Sequence, residues 1–319
     1  MATYSHSKIK TYEQCPQKYK FRYIDRIEPP FRTIEVFLGD IVHQTIEKLY
    51  RDLPDSRPIP RNRLISYYEQ RWKEDYSSKI RVVRRGTTPQ DYFATGRKMV
   101  SSYYRRFYPF TQGTTVGLEL DVSFPIASGT EFQGVVDRLV QGTDGAYEVH
   151  DYKTSRWLPS LEDLRRDRQL SLYELAIRQR WPEVGNVSLV WHYLAFDRQL
   201  QLKRTAEELE QAKRSALRII GQIEKEARFP THETRLCDWC EYYGICPAKQ
   251  RNLVPVPSWP KTAAATVARP PILSQPASHS PGWRLFLSVC RKLGSVVGAL
   301  FRFTLAGAAK SHRRRRRRY

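Results

Sequence analysis

Asp137, Asp151 and Lys153 are the residues of this chain best placed by type and spacing to do chemistry. They lie in the stretch EFQGVVDRLVQGTDGAYEVHDYKTSR, residues 131–156, where β-branched and apolar residues alternate on either side of a Gly-rich turn at 141–145. That pattern predicts two antiparallel strands joined by a short loop. Side chains alternate faces along a strand, so Asp151 and Lys153 share a face, and pairing the strands brings Asp137 towards them. Such a set suits phosphodiester hydrolysis. The attacking water must lose a proton near neutral pH, and the pentavalent phosphate carries extra negative charge. Asp137 and Asp151 offer hard oxygen ligands to Mg²⁺ or Mn²⁺, and the Tyr152 carbonyl could add a third. Lys153 could orient the water or offset the developing charge. A D-x-K tripeptide is common, so the rest of the chain has to supply the context.

The second chemical signal is sulfur. Cys237, Cys240 and Cys246, the last followed by Pro247, put three thiols within ten residues, and Cys15-Pro16 offers a fourth from the far end of the chain. Four thiolates suit a [4Fe–4S] cluster or Zn²⁺, and a site built from them would tie the two ends together. One isolated ligand and three bunched ones depart from the paired CxxC pattern usual for zinc, but spacing alone does not choose between the two. Cys290 stands apart as a free thiol.

The elements that must position these groups can be read in order. Ser5 and Ser7 can cap a first helix running through Thr11. The aromatic and basic stretch 12–26 follows, and could line a path for single-stranded nucleic acid or be a helix with one packed side; Pro29 and Pro30 end it. Helices are expected over 37–53, carrying His43, and over 63–76 and 89–108. A strand over 114–125 leads past Glu119, which with Glu131 is a spare acid, into the central hairpin. A helix over 161–180 carries Gln169 and Tyr173 four residues apart on one face. Strands over 187–196 and 199–204 come next, and Thr205 with Glu208 forms a capping box opening a helix to about residue 227. Helices, a strand meander, a helix, strands and a helix predict an α/β fold around a small mixed sheet.

At 319 residues with 40% hydrophobic composition, the chain can bury a sizeable core. Its net charge of +21 is uneven. Fourteen Lys/Arg and no Asp/Glu follow Gln250, so residues 1–250 carry 40 Lys/Arg against 33 Asp/Glu, a balance of +7. A basic chain with 12% aromatic residues is compatible with an anionic partner such as nucleic acid or lipid. Residues 251–282 have the Pro, Ala and Ser composition of a linker, and residues 283–319 form a basic, apolar tail ending in six arginines. The longest uncharged run of the tail, 293–301, falls short of the ~20 apolar residues a spanning helix needs, which disfavours an anchor. An interfacial helix on anionic lipid and an arm adding non-specific DNA affinity remain as alternatives. The polar N-terminus shows no signal peptide, so a cytoplasmic setting with reduced thiols is expected.

Taken together, GVVD at 134–137, DYK at 151–153, His43 upstream, QLSLY at 169–173 and the four cysteines resemble the RecB-type branch of the PD-(D/E)XK nuclease superfamily. Within it, the iron–sulfur subgroup that includes the CRISPR-associated spacer-processing nucleases and the AddB nuclease domain is similar. The resemblance spans residues 5 to about 250. It implies a restriction-endonuclease-like core over residues 1–250 with a cysteine-bound cluster subdomain. It further implies Asp137 and Asp151 as metal ligands, Lys153 as the catalytic lysine, His43 as an additional ligand, and Gln169 and Tyr173 as residues that hold DNA or brace the site. Val136 stands where the family name has proline, and Asp151 replaces the Glu of many relatives.

The expected activity is that of a metal-dependent exonuclease on single-stranded DNA or DNA ends, in repair, recombination or CRISPR adaptation. No Walker A loop is present, so unwinding would fall to a helicase partner. Two other classes compete: a DNA-binding module that grips without cleaving, and a structural zinc protein built around the cysteines.

Overall fold

The computed structural model describes residues 1–53 and 57–250. The chain opens with a short strand β1 (Ala2–Tyr4) and helices α1 (His6–Gln14) and α2 (Pro16–Tyr19), then a π-helical turn over Lys20–Ile24. There follow β2 (Arg32–Thr33), α3 (Ile34–Arg51), α4 (Arg61–Asp75), β3 (Ile80–Arg81) and α5 (Pro89–Phe107). The central meander is β4 (Thr114–Ala127), β5 (Thr130–Gln141) and β6 (Tyr147–Lys153). After it come α6 (Leu161–Arg166), α7 (Gln169–Arg180), β7 (Val187–Tyr193), β8 (Arg198–Leu202), α8 (Ala206–Lys225) and α9 (Pro247–Gln250).

These strands build the expected mixed sheet flanked by helices. β4 runs antiparallel along one edge of β5 for nearly its whole length. Two strands share the other edge: β1, parallel, along Thr130–Phe132, and β6, antiparallel, along Arg138–Gln141. The sheet therefore forks between Phe132 and Arg138, and Asp137 stands at the fork. β7 pairs parallel with β6, the crossover being made by α6 and α7, and β8 closes the edge antiparallel.

Each face of the sheet buries its own core. Val136, Leu139, Val149, Leu189 and Trp191 pack with α1, α7 and α8, while Leu118, Tyr152 and Leu194 pack with α3, α4 and α5. Along β4 the alternation breaks at Glu119: Leu118 joins the second core, but Leu120, Val122 and Phe124 join the first. Glu119 has the backbone conformation that produces this switch, a left-handed φ of 42°, which a bulged strand uses to re-aim its side chains.

Several expectations are corrected. The single helix over 161–180 is two helices, because the buried Arg204 guanidinium takes the carbonyls of Leu164, Arg165 and Asp167 as hydrogen-bond partners at the break. Asp167 Oδ1 in turn accepts from the Gln169 amide at 2.9 Å, starting α7 afresh. The strand over 187–196 ends at Tyr193 and becomes a 3₁₀ turn, Leu194–Phe196. β1 was not foreseen. Ser5, not Ser7, caps α1, and the Thr205–Glu208 capping box opens α8 as read. In the stretch 12–26, Tyr12 and Tyr19 meet Phe229 with ring centroids 6.4 and 6.2 Å away, and Phe21 meets Tyr242 at 5.5 Å, so these rings serve packing. No helix among the described residues is long and apolar enough to cross a membrane. The linker, the basic tail and Cys290 lie outside the described residues.

Candidate active site

Three carboxylates lie in one row across the sheet. The pairs Leu118–Arg138 and Leu120–Val136 put Glu119 opposite Asp137, and the pair Arg138–His150 puts Asp137 opposite Asp151. Like charges directly across strands repel, so such a row is stable only where something compensates. One compensation is local. At the fork the Tyr152 amide, freed from the β5 ladder, donates to Asp137 Oδ2 at 2.7 Å. Arg138, the next residue, lies over the Tyr50 ring, 3.7 Å from its centroid, on the side of α3.

His43 comes from the middle of α3. Its Nε2 lies 2.6 Å from the Tyr152 carbonyl, which can only accept, so the proton sits on Nε2. The Nδ1 lone pair then faces Asp137 Oδ2 at 3.6 Å. Donor atoms of His43, Glu119 and Asp137 all lie within 4.8 Å of one another, the spacing of a metal-ligand set. The Tyr152 carbonyl, expected as a donor to the ion, is here the partner that orients the imidazole, an arrangement common behind metal-bound histidines.

Asp151 and Lys153 form the other half of the site. Lys153 Nζ donates to Asp151 Oδ1 at 3.0 Å and to Gln169 Oε1 at 2.9 Å. The amide of Gln169, the first residue of α7, donates back to Asp151 Oδ1 at 3.1 Å and to the Tyr173 hydroxyl at 3.3 Å. Gln169 thus braces the Asp151–Lys153 pair, and Tyr173, buried against Phe132 and Gly134, braces Gln169. Asp151 Oδ2 is buried and accepts no directed hydrogen bond, although Lys153 Nζ stands 2.8 Å away as an ion-pair neighbour.

The electrostatics fit a cation. Burial raises Asp137 to about 6, opposed by His43 and reinforced by Asp151. Glu119 rises to about 7 through partial desolvation and the Asp137 charge. Lys153 is lowered by burial but raised more by Asp151, and stays an ammonium. Two carboxylates driven towards protonation and an imidazole lone pair beside them are a donor set that a divalent ion would satisfy.

This gives a signed pH dependence. Carboxylates with raised folded-state values stabilise the fold fully below their unfolded values near pH 4, and that contribution is lost as pH rises through 6–7. Asp137 accounts for on the order of 3 kcal/mol of this. Melting curves in EDTA and in Mn²⁺ should therefore separate little at pH 5 and widely at pH 8. Equal separation at both would contradict the site.

The four cysteines converge on one small cavity, beside Lys18, His232 and Lys249. The His232 amide points at Cys15 Sγ from 3.5 Å, and the Thr234 amide at Cys237 Sγ from 3.4 Å.

The fold thus gathers His43, Asp137, Asp151, Tyr152, Lys153, Gln169 and Tyr173 into one site and the cysteines into another. Glu119, one of two spare acids that the sequence offered to the site without assigning, stands with His43 and Asp137. The sequence reading passed over His6, half-buried at the start of α1 and pushed down to about 3 by desolvation and by Lys10, Lys153 and Arg168.

The model of the PD-(D/E)XK nuclease superfamily matches residues 3–247. No curated protein matches the chain. Among solved structures, a candidate exonuclease from Eubacterium rectale is similar at 13% identity and a TM-score of 0.46, over 79% of this chain and 88% of that one. The protein SSO0001 is similar at 16% identity and a TM-score of 0.34, over 67% of this chain and 97% of that one. The family match spans both halves of the site, from His43 to Tyr173, and the chain belongs to the PD-(D/E)XK nuclease superfamily.

Proposed function

We propose that the protein is a metal-dependent deoxyribonuclease of the RecB-type branch, acting as an exonuclease on single-stranded DNA or DNA ends. The observation that carries this reading is the meeting of Glu119, Asp137 and Asp151 with the Lys153 ammonium at the fork of the sheet. Asp137, Asp151, Glu119 and His43 would hold Mg²⁺ or Mn²⁺, which supplies an acidified water and a counter-charge for the phosphate oxygens. Lys153, kept protonated by Asp151, cannot take a proton from water. It faces the reacting phosphate as a fixed positive charge and offsets the charge gained in the pentavalent state. Gln169 fixes the angle between the lysine and the carboxylate. Repair, recombination or CRISPR adaptation are the settings in which such an activity would serve, with strand opening supplied by a helicase partner.

The cysteines would hold a [4Fe–4S] cluster that staples residue 15 to the C-terminal end of the described core. The cluster is proposed over zinc because one isolated and three bunched cysteines depart from the paired CxxC pattern usual for zinc. Anaerobically purified protein is expected to be brown and to lose the colour in Cys237→Ser; metal analysis finding zinc alone would contradict this. The activity is tested with end-labelled single-stranded and blunt duplex DNA in Mg²⁺ or Mn²⁺. Progressive shortening of the single strand is expected, and DNA retained but intact under every divalent metal would reject the nuclease in favour of a binding module.

A further inference from the structure

Beyond the site itself, the loop leaving Lys153 has a shape that calls for a ligand. It runs back along α3, from the level of His43 towards the start of that helix. Thr154 Oγ1 lies where a side chain on Gly39 would touch it, at 3.4 Å, one turn from His43. Arg156 sits over the Tyr92 ring, 5.2 Å from its centroid, and the Tyr92 hydroxyl donates to Glu35 in the first turn of α3 at 2.7 Å. Ser155 Oγ donates to the Trp157 carbonyl at 3.1 Å. The loop is therefore anchored at both levels, yet its end presents Trp157 at 63% exposure, followed by Leu158 and Leu161 at 37% and 54%. An indole held outward on a fastened loop is not spent on the core.

Two measures place it relative to the reacting centre. Four residues separate Trp157 from Lys153, at most about 14 Å of chain, and the eight residues of helix from Glu35 to His43 rise about 12 Å. That is a span of no more than about four stacked nucleotides. The charge next to the ring on the loop itself is positive, Arg156; farther on, Arg165, Arg166 and Arg168 are paired with Glu208, Glu162 and Glu13. A flat apolar ring beside a guanidinium group complements an unpaired base and its phosphate better than it does an apolar protein surface.

We propose that Trp157 is a stacking platform for an unpaired nucleobase of the strand entering the site, a few nucleotides from the cleaved phosphate. This rests on the nuclease reading above. The test measures binding of labelled single-stranded oligonucleotides in Ca²⁺, with normal bases or with abasic sites, by wild type, Trp157→Ala and Trp157→Phe, alongside steady-state cleavage in Mn²⁺. Wild type is expected to bind the base-bearing strand roughly 5- to 100-fold more tightly than the abasic one. Trp157→Ala should lose that preference and raise KM with little change in kcat, and Trp157→Phe should keep most of it. Equal affinities and KM values for wild type and Trp157→Ala, with DNA still cut, would overturn this inference alone, as would a patch that takes up a protein partner while DNA binding is unchanged. A wild type that neither binds nor cuts nucleic acid would overturn the nuclease reading with it.

Discussion

Lys153→Met is expected to lower kcat on single-stranded DNA by at least ~10²-fold, and to leave Mn²⁺ binding intact, since loss of one fixed charge donor at a developing oxyanion has that order of effect. The lysine is held by Asp151 Oδ1 and Gln169 Oε1, at 3.0 and 2.9 Å, with Asp151 Oδ2 also 2.8 Å away, so its charge is fixed at the carboxylate. Methionine keeps the length and apolar stem of the side chain and removes only the charge. Asp151, relieved of its ion pair, gains rather than loses availability for a cation, and metal affinity should hold or rise. Isothermal titration with Mn²⁺ beside single-turnover cleavage separates the two effects. A variant that cleaves at wild-type rate would remove the lysine from the mechanism, and one that fails to bind metal would show that its role is to hold the carboxylate.

The second large effect is expected at Gly134, on the edge of β5 beside the fork. A methyl group there would lie 2.3 Å from Tyr173 Cε1 and 3.1 and 3.2 Å from Cδ1 and Cζ. Tyr173 is buried against Phe132 and its hydroxyl is bonded to Gln169, so the ring cannot give way without moving the amide that orients Asp151 and Lys153. Gly134→Ala should cost ~1–3 kcal/mol of stability by overpacking, and should lower kcat in the protein that still folds. Gly221→Ala is the control: it lies in α8 with nothing within 4 Å of the added carbon, and alanine there is expected to be neutral or to stabilise by roughly 0.5–1 kcal/mol. Thermal melts and cleavage rates of the two variants, compared at saturating Mn²⁺, check both expectations.

These residues also show how far the sequence could be read. The central hairpin was legible because its alternation is regular and its turn is marked by glycine, and a period of two puts Asp151 and Lys153 together whatever surrounds them. His43 was legible as a helix residue, but nothing in its own helix says which nitrogen faces the acids; that follows from the Tyr152 carbonyl, 109 residues away. Glu119 was legible only as a spare acid, for a backbone reason. The left-handed conformation that turns the strand there is adopted by a glutamate, where glycine or asparagine would have given a signal. The break between α6 and α7 was hidden because its cause, Arg204, comes from another part of the chain. Spacing identified the cysteines, and the fold brings Cys15 to the cavity lined by the other three.

Cleavage of 5′- and 3′-labelled single-stranded DNA by wild type and Asp137→Asn, each in EDTA, Mg²⁺ and Mn²⁺, tests the central claim most directly. The account predicts cutting by wild type only when metal is added, and loss of that cutting in the variant, because Asp137 stands between Glu119 and Asp151 and touches both halves of the site. Metal-dependent cutting that survives in Asp137→Asn would mean that the chemistry, if it occurs, happens elsewhere on the molecule.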